Sequence, residues 1–302
     1  DLNNNDQNNP SSSPYELSSE DCRIGISSHT DHTLQKYFAS PEGTELKACA
    51  VVAASIFSFT FGIGSQFVQP HQRPIPYQYL ENSGNYVLNL LNNEENSSST
   101  VPAWQLWLIC FICCPLFQSF VSNRWGITGD LHKTLCVYLM ALPCNELVTW
   151  SIKVYVGYLR PNFYSQCEPN DGYEYCTNDD DWNARTSFPS GHASWSFCGL
   201  TLMYLFLERS FGLSSIQKAV LTASGTSPNN NGNDNGNGNG VVFRYTKPPS
   251  LYRMYSILCL APVGLAIFIA ASRVVDNKHF PADVIAGSLI GSSIATLIHR
   301  LW

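Results

Sequence analysis

Six stretches of this chain carry almost no charge: Ala48–Phe67, Ala103–Val121, Thr134–Ile152, Ala193–Leu207, Met254–Ala271 and Val284–Ile298. A bilayer core of about 30 Å takes roughly 20 helical residues, so the first, second, third and fifth are long enough, or nearly so, to cross one. The fourth and sixth are short and could instead be buried helices of a soluble core. Their flanks favour spanning, because Pro189-Ser190-Gly191 can begin the fourth helix and Phe280-Pro281-Ala282 lengthens the sixth. The pattern predicts an all-α fold, an integral membrane bundle of six transmembrane helices.

Parity then sorts the connections. With the N-terminal segment on the cytosolic side, the loops Val68–Pro102, Lys153–Gly191 and Ser272–Asp283 all fall on the outer, lumenal or extracellular, face. Of 17 Lys and Arg residues, eleven lie on the inner side of this arrangement and six outside, in accord with the positive-inside rule. The sequon Asn96-Ser97-Ser98 falls in an outer loop, where it would be open to lumenal glycosylation. Residues 1–45 are polar and rich in Asn, Ser and Asp, and are expected to form a disordered tail. Residues 46–302 form the six-span domain, with a flexible Asn-Gly insert at about 226–240 in a cytosolic loop. The chain starts at Asp1 without a cleavable signal pattern, so it is expected to be a fragment or a processed product whose first span acts as its insertion signal.

Composition adds little beyond this. Hydrophobic residues make up 44% of the 302 positions and charged ones 13%, low in charge for a soluble protein. The net charge of −6 and the absence of a basic stripe with interleaved aromatics argue against nucleic acid as a partner. Most of the eleven cysteines lie inside the apolar runs, where a thiol is a small apolar filler. Cys167 and Cys176, nine residues apart in an outer loop, could form a disulfide in an oxidising compartment or remain two free thiols in a reducing one. Neither has the spacing of a zinc site with a histidine partner.

The chemistry gathers at the borders of the apolar runs. Lys153 and Arg160 are seven residues apart, close to two helical turns, so both are predicted to project from one face at the outer end of the third span, with Pro161 ending the helix. Arg160 supplies a planar fork for phosphate oxygens and Lys153 a point charge. Snorkelling of two basic residues to the headgroups is the plainer reading of this pair alone. Pro189-Ser190-Gly191-His192 opens the fourth helix, whose backbone N–H groups would form an anion cradle. Ser190 can add a donor, Gly191 allows close approach, and His192 can give a proton to a leaving oxygen; a simple N-cap is the alternative. Arg273, His279 and Asp283 sit between the last two spans, and a helix beginning near Phe280 would let the Asp283 carboxylate reach the His279 imidazole. An Asp bonded to one ring nitrogen makes the other the better nucleophile.

Other polar positions carry less. Glu146 lies on the face of Lys153 within the third span and could pair with a cation, line a cavity or make a structural hydrogen bond. His29, His32, His71, His132 and His299 have no comparable partners and are taken as surface or interfacial. Asp179-Asp180-Asp181 is taken as a solvated acidic loop, and Gly287-x-x-x-Gly291 as a helix-packing motif.

Together the three segments resemble the tripartite signature of the phosphatidic acid phosphatase type 2 superfamily. Lys153 through Pro161 matches Lys-x6-Arg-Pro, Pro189 through His192 matches Pro-Ser-Gly-His, and Ser272 through Asp283 matches Ser-Arg-x5-His-x3-Asp. The runs Tyr158–Cys167 and Ser187–Phe197 look like the eukaryotic lipid phosphate phosphatase branch. The resemblance implies a membrane-bound hydrolase of phosphatidate, lysophosphatidate, diacylglycerol pyrophosphate and sphingoid phosphates, with no cofactor and no metal. It implies His279 as nucleophile, Asp283 orienting it, and His192 protonating the departing alkoxide. Lys153, Arg160, Ser190, Gly191 and Arg273 would hold the phosphate oxygens. The partners implied are the lipid phosphate and the bilayer, of the endoplasmic reticulum, plasma membrane or another endomembrane; a homo-oligomeric state is left open. A polyprenyl pyrophosphate or other phosphate ester as substrate, or a catalytically silent lipid-binding or transport protein, is the rival reading.

Overall fold

The computed structural model describes residues 36–80, 85–125, 131–178, 181–211, 254 and 257–302. The first 35 residues of the tail, His29 and His32 among them, lie outside these, as do Asp179, Asp180 and the 226–240 insert. The chain divides into two compact units, Asp1–Lys47 and Ala48–Trp302.

In the first unit a helix starts inside the stretch taken as tail. Ser40 precedes Pro41, its hydroxyl accepts from the Gly43 N–H at 3.2 Å, and Glu42 sits in the first turn, a start signal that opens α1 at Pro41 (Pro41–Phe57). The polar boundary drawn at residue 45 falls inside this helix.

Among the described residues, the regular structure of the second unit is helical apart from one two-stranded antiparallel ribbon. A π-helical segment, Ser58–Ile63, follows α1 and leads into α2 (Gly64–Phe67); the ribbon pairs β1 (Tyr77–Leu80) with β2 (Asn85–Leu88). Then come α3 (Ala103–Trp107), a second π segment at Leu108–Cys113, α4 (Cys114–Trp125), α5 (Leu131–Val156), α6 (Phe163–Cys167) and α7 (Asp181–Ala184). The long helices α8 (Gly191–Phe211), α9 (Ala261–Val275) and α10 (Pro281–Leu301) complete it. Among the described residues, four helical stretches are long and apolar enough to cross a membrane: Pro41–Gly62, Ala103–Ser122, Leu131–Val156 and Pro281–Leu301. Ala261–Val275 is apolar but shorter.

Helix α8 lies at the centre, packed on α10, α9 and α5. Its buried face combines small or polar residues, Ala193, Ser194, Ser196, Cys198 and Gly199, with the larger Trp195, Leu200, Leu202 and Met203, and the small ones let its neighbours approach closely. Polar side chains there bond from helix to helix: Asn145 Nδ2 donates to Ser194 Oγ at 3.2 Å, Thr149 Oγ1 lies 3.1 Å from the same oxygen, and Tyr138 OH donates to the Gly199 carbonyl at 3.1 Å. The outward faces of α9 and α10 are apolar, with Ile267, Phe268, Ile285, Leu289 and Leu297 exposed, as suits helices surrounded by lipid tails.

The Gly287-x-x-x-Gly291 spacing packs helices, as read from the sequence. A Cβ on Gly287 would be driven into the Ser190 carbonyl, and one on Gly291 into the Ser194 carbonyl and to 3.0 Å from the Cys198 nitrogen. Gly291→Leu is therefore expected to destabilise the fold by about 1–3 kcal/mol, since overpacking forces the backbones apart. A fall in the thermal midpoint of the detergent-solubilised protein checks it.

Candidate active site

The C-terminal end of α5 is shaped by one residue. Gly157 has φ +55, a left-handed conformation that ends the helix at Val156, and its N–H donates to the Lys153 carbonyl at 3.0 Å. A Cβ there would collide with the His71 carbonyl, so glycine is required. Lys153 and Arg160 are consequently not on one helical face, as their spacing predicted. Lys153 belongs to α5, Arg160 to the loop beyond it, and Pro161 does not end the helix. Both side chains still line one cavity of about 470 Å³.

The second and third segments reach that cavity from the starts of α8 and α10. Gly191, His192, Arg273 and His279 line it beside Lys153 and Arg160. Ser190 and Asp283 do not line it; both are almost completely buried behind it. Ser190 caps α8, its Oγ accepting from the Ala193 N–H at 3.4 Å. Asp283, in the first turn of α10, joins the second and third segments: its Oδ2 accepts from Ser187 Oγ at 2.5 Å and from the Phe280 N–H at 3.0 Å, and its carbonyl accepts from the Ser190 N–H at 2.9 Å. His279 Nδ1 lies 3.8 Å from Asp283 Oδ2, close enough for charge to be felt but beyond a hydrogen bond. The expectation that Asp283 bonds the imidazole directly is thus met only as proximity, because the same oxygen is taken up by Ser187 and the helix start.

Two buried ring nitrogens face this region without a hydrogen bond, His192 Nε2 and His279 Nδ1. Such groups are rare in folded proteins and concentrate at sites of chemistry. Burial holds the His279 pKa well below the ordinary imidazole value, and the neighbouring Arg160, Lys153 and His192 push it the same way. Among the cations, Lys153 Nζ donates to the Thr186 carbonyl at 2.6 Å. Arg273 is buried, its Nη2 donating to Asp276 Oδ2 at 2.5 Å and to Ser272 Oγ at 3.0 Å. Three side-chain cations from the predicted segments around a cavity, with a helix N-terminus at Gly191, suit a tetrahedral anion.

The structure adds residues that motif reading passes over. Lys278 is a fourth cation lining the cavity, immediately before His279. Asp276 is held by Thr100, whose Oγ1 donates to Oδ1 at 2.6 Å and whose N–H donates to Oδ2 at 2.9 Å. Asn96, the sequon residue, uses its side-chain carbonyl to accept from both Asn162 and Lys278, so the 89–100 loop ties the first segment to the third. A conserved-type motif is found by spacing within a segment, and these residues act between segments, where spacing carries no signal. Among the described residues, His71, His132 and His299 stay outside the cavity; His132 is buried beside Cys136 and not at the surface. Cys167 and Cys176 form a disulfide, within a second, smaller core that includes Ile75, Leu159, Phe163 and Ala184.

Comparison with known proteins follows the same lines. The profile of the PAP2 superfamily matches residues 134–302. Lipid phosphate phosphatase 1 of Arabidopsis thaliana is 32% identical over 219 residues, 67% of this chain and 54% of that protein. Diacylglycerol pyrophosphate phosphatase 1 of Saccharomyces cerevisiae is 27% identical over 197 residues, 61% of this chain and 57% of that protein. Phospholipid phosphatase 1 of Rattus norvegicus is 26% identical over 193 residues, 60% and 55% of the two chains. The chain thus spans just over half the length of the curated relatives it matches. No solved structure matches it. The profile match takes in all three segments and more than half of the residues, and on that ground the chain belongs to the PAP2 superfamily.

Proposed function

We propose that this protein is a metal-independent lipid phosphate phosphatase, acting on phosphatidate and related lipid phosphates through a phosphohistidine intermediate. The observation that carries the reading is the single cavity in which Lys153, Arg160, Arg273, Gly191, His192 and His279 meet. Lys153, Arg160 and Arg273, with the α8 N-terminus behind Ser190 and Gly191, hold the phosphate oxygens and stabilise the charge that develops in the transition state. His279 Nε2 attacks phosphorus while the P–O bond to the lipid breaks, and His192 gives its proton to the departing alkoxide. Water then attacks the phosphohistidine, passing a proton to His192 and releasing phosphate. Asp283 is a positioning residue, fixing Ser187 and the start of α10 and lending negative charge to the imidazolium side of His279.

The same reading has six spans in residues 46–302, with the site on the lumenal or extracellular face of a multi-pass protein. The Cys167–Cys176 disulfide in the loop next to Arg160 supports it, since such bridges persist in oxidising compartments. Related lipid phosphates reach the site laterally, their chains along the aromatic wall formed by Phe61, Trp107 and Trp195.

Phosphate release from phosphatidate in detergent micelles tests the activity. Release is expected to continue unchanged in excess EDTA, because protein cations supply the charge a metal would otherwise bring. Complete loss on chelation, restored by magnesium, would overturn the metal-independent mechanism. Thr100→Val examines the support of Arg273: it removes the hydroxyl donor to Asp276 while keeping the side chain's shape. Losing one bond to a charged group, about 1.5 kcal/mol, should lower kcat/KM by about tenfold or more, chiefly by raising KM.

A further inference from the structure

The cavity has one acidic side chain among its described lining residues, Glu146, and nothing in the phosphatase mechanism uses it. Glu146 is buried on α5, with 9% of its surface exposed. One carboxylate oxygen accepts from Trp195 Nε1 at 2.6 Å, which fixes the group against the aromatic wall. The other makes no hydrogen bond among the described residues. The pairing with Lys153 that their shared helix face suggests is not made, because Lys153 turns to the Thr186 carbonyl. The unbonded Glu146 oxygen opens on the cavity, and an ionisable group that faces a cavity from a membrane-length helix marks a ligand contact by default.

Its position says which part of a ligand it meets. Glu146 stands seven residues before Lys153, about 10 Å further from the outer mouth by helix rise. A lipid whose phosphate lies among Lys153, Arg160 and Arg273 must lay its first carbons along the wall that carries Trp195 and Glu146. A carboxylate can only accept there. The ester oxygens of a diacylglycerol backbone also only accept, so they leave Glu146 unsatisfied. An ammonium a few bonds from the phosphate both donates and neutralises.

Resting on the phosphatase reading above, we infer that Glu146 is a specificity-determining residue that selects lipid phosphates carrying a free amine near the phosphate ester, as a sphingoid phosphate does. Recognition by a polar group discriminates more strongly than apolar fit, because the wrong substrate leaves a buried acceptor unpaired. The test compares kcat/KM of the full chain in mixed micelles for a sphingoid phosphate, its N-acylated counterpart and phosphatidate. The parent is expected to favour the free amine over the N-acylated lipid by about tenfold or more. Glu146→Gln keeps an oxygen for the Trp195 indole but removes the charge, and should bring that ratio close to one. A parent with no preference for the amine overturns the inference without any variant, and so does a preference that survives Glu146→Gln. A parent inert on all three lipids overturns the phosphatase reading itself, and the inference falls with it.

Discussion

Replacing His279 by alanine is expected to lower phosphate release from phosphatidate by at least about a thousandfold, because the nucleophile of a two-step displacement has no substitute in the cavity. The four cations lining the site would remain, so lipid binding should survive and the loss should fall on kcat. His279→Gln, closer in volume, should be equally inactive and guards against a loss that is merely of fold. The electrostatics of this residue also set a pH signature in the parent. Burial and the neighbouring Arg160, Lys153 and His192 hold its pKa well below the ordinary value of about 6.5. The neutral, nucleophilic form therefore persists as pH falls through 6.5 or so, and the acid limb of kcat/KM attributable to His279 should lie below that value. The same sign governs stability: the unfolded chain takes up a proton on this imidazole near its ordinary pKa while the folded chain does not, so folding weakens as the medium is acidified below it.

The second large effect separates the two histidines. His192→Ala removes the proton donor to the leaving group, and general acid catalysis is worth roughly a hundred- to ten-thousandfold when the departing atom is a strongly basic alkoxide. On phosphatidate the first step should slow by that factor. A lipid pyrophosphate departs as a phosphate, whose second pKa is about 6, and needs no such help. Its first step should slow by less than about tenfold in the same variant. Rapid-quench measurement of enzyme phosphorylation with the two substrates checks the difference. Equal losses on both would assign His192 to phosphate binding and not to proton transfer.

Much of this site can be read from the sequence because the chemistry obeys local spacing. Pro189 to His192 is four consecutive residues at a helix start, and Arg273 to Asp283 spans one turn between two helices, so neighbours in sequence stay neighbours in space. Lys153 and Arg160 are the instructive exception. Their interval of seven fits two helical turns, yet Gly157 in the left-handed region breaks the helix between them and brings Arg160 in by another route. What the spacing could not carry is contact between distant segments. Thr100 bracing Asp276 and Asn96 bridging Asn162 to Lys278 join residues more than sixty positions apart, and polar side chains in a loop rich in Asn and Ser give no periodic signal. The long apolar runs marked Ala103–Ser122, α5 and α10 for the same reason the fold needs them, as membrane-length segments, whereas α8 stands out less because Ser, Gly and Ala interleave with the larger apolar residues of its buried face.

Trapping the phosphoenzyme addresses the central claim most directly. His192→Ala, given a lipid pyrophosphate labelled on its terminal phosphate, should form the intermediate and then hydrolyse it slowly, since water lacks its base. The label should be stable to alkali, labile to acid, and recovered on the peptide that carries His279; the double variant with His279→Ala should hold none. Release of labelled phosphate at the rate of lipid consumption, with no labelled peptide or with the label on a residue other than His279, would contradict the account.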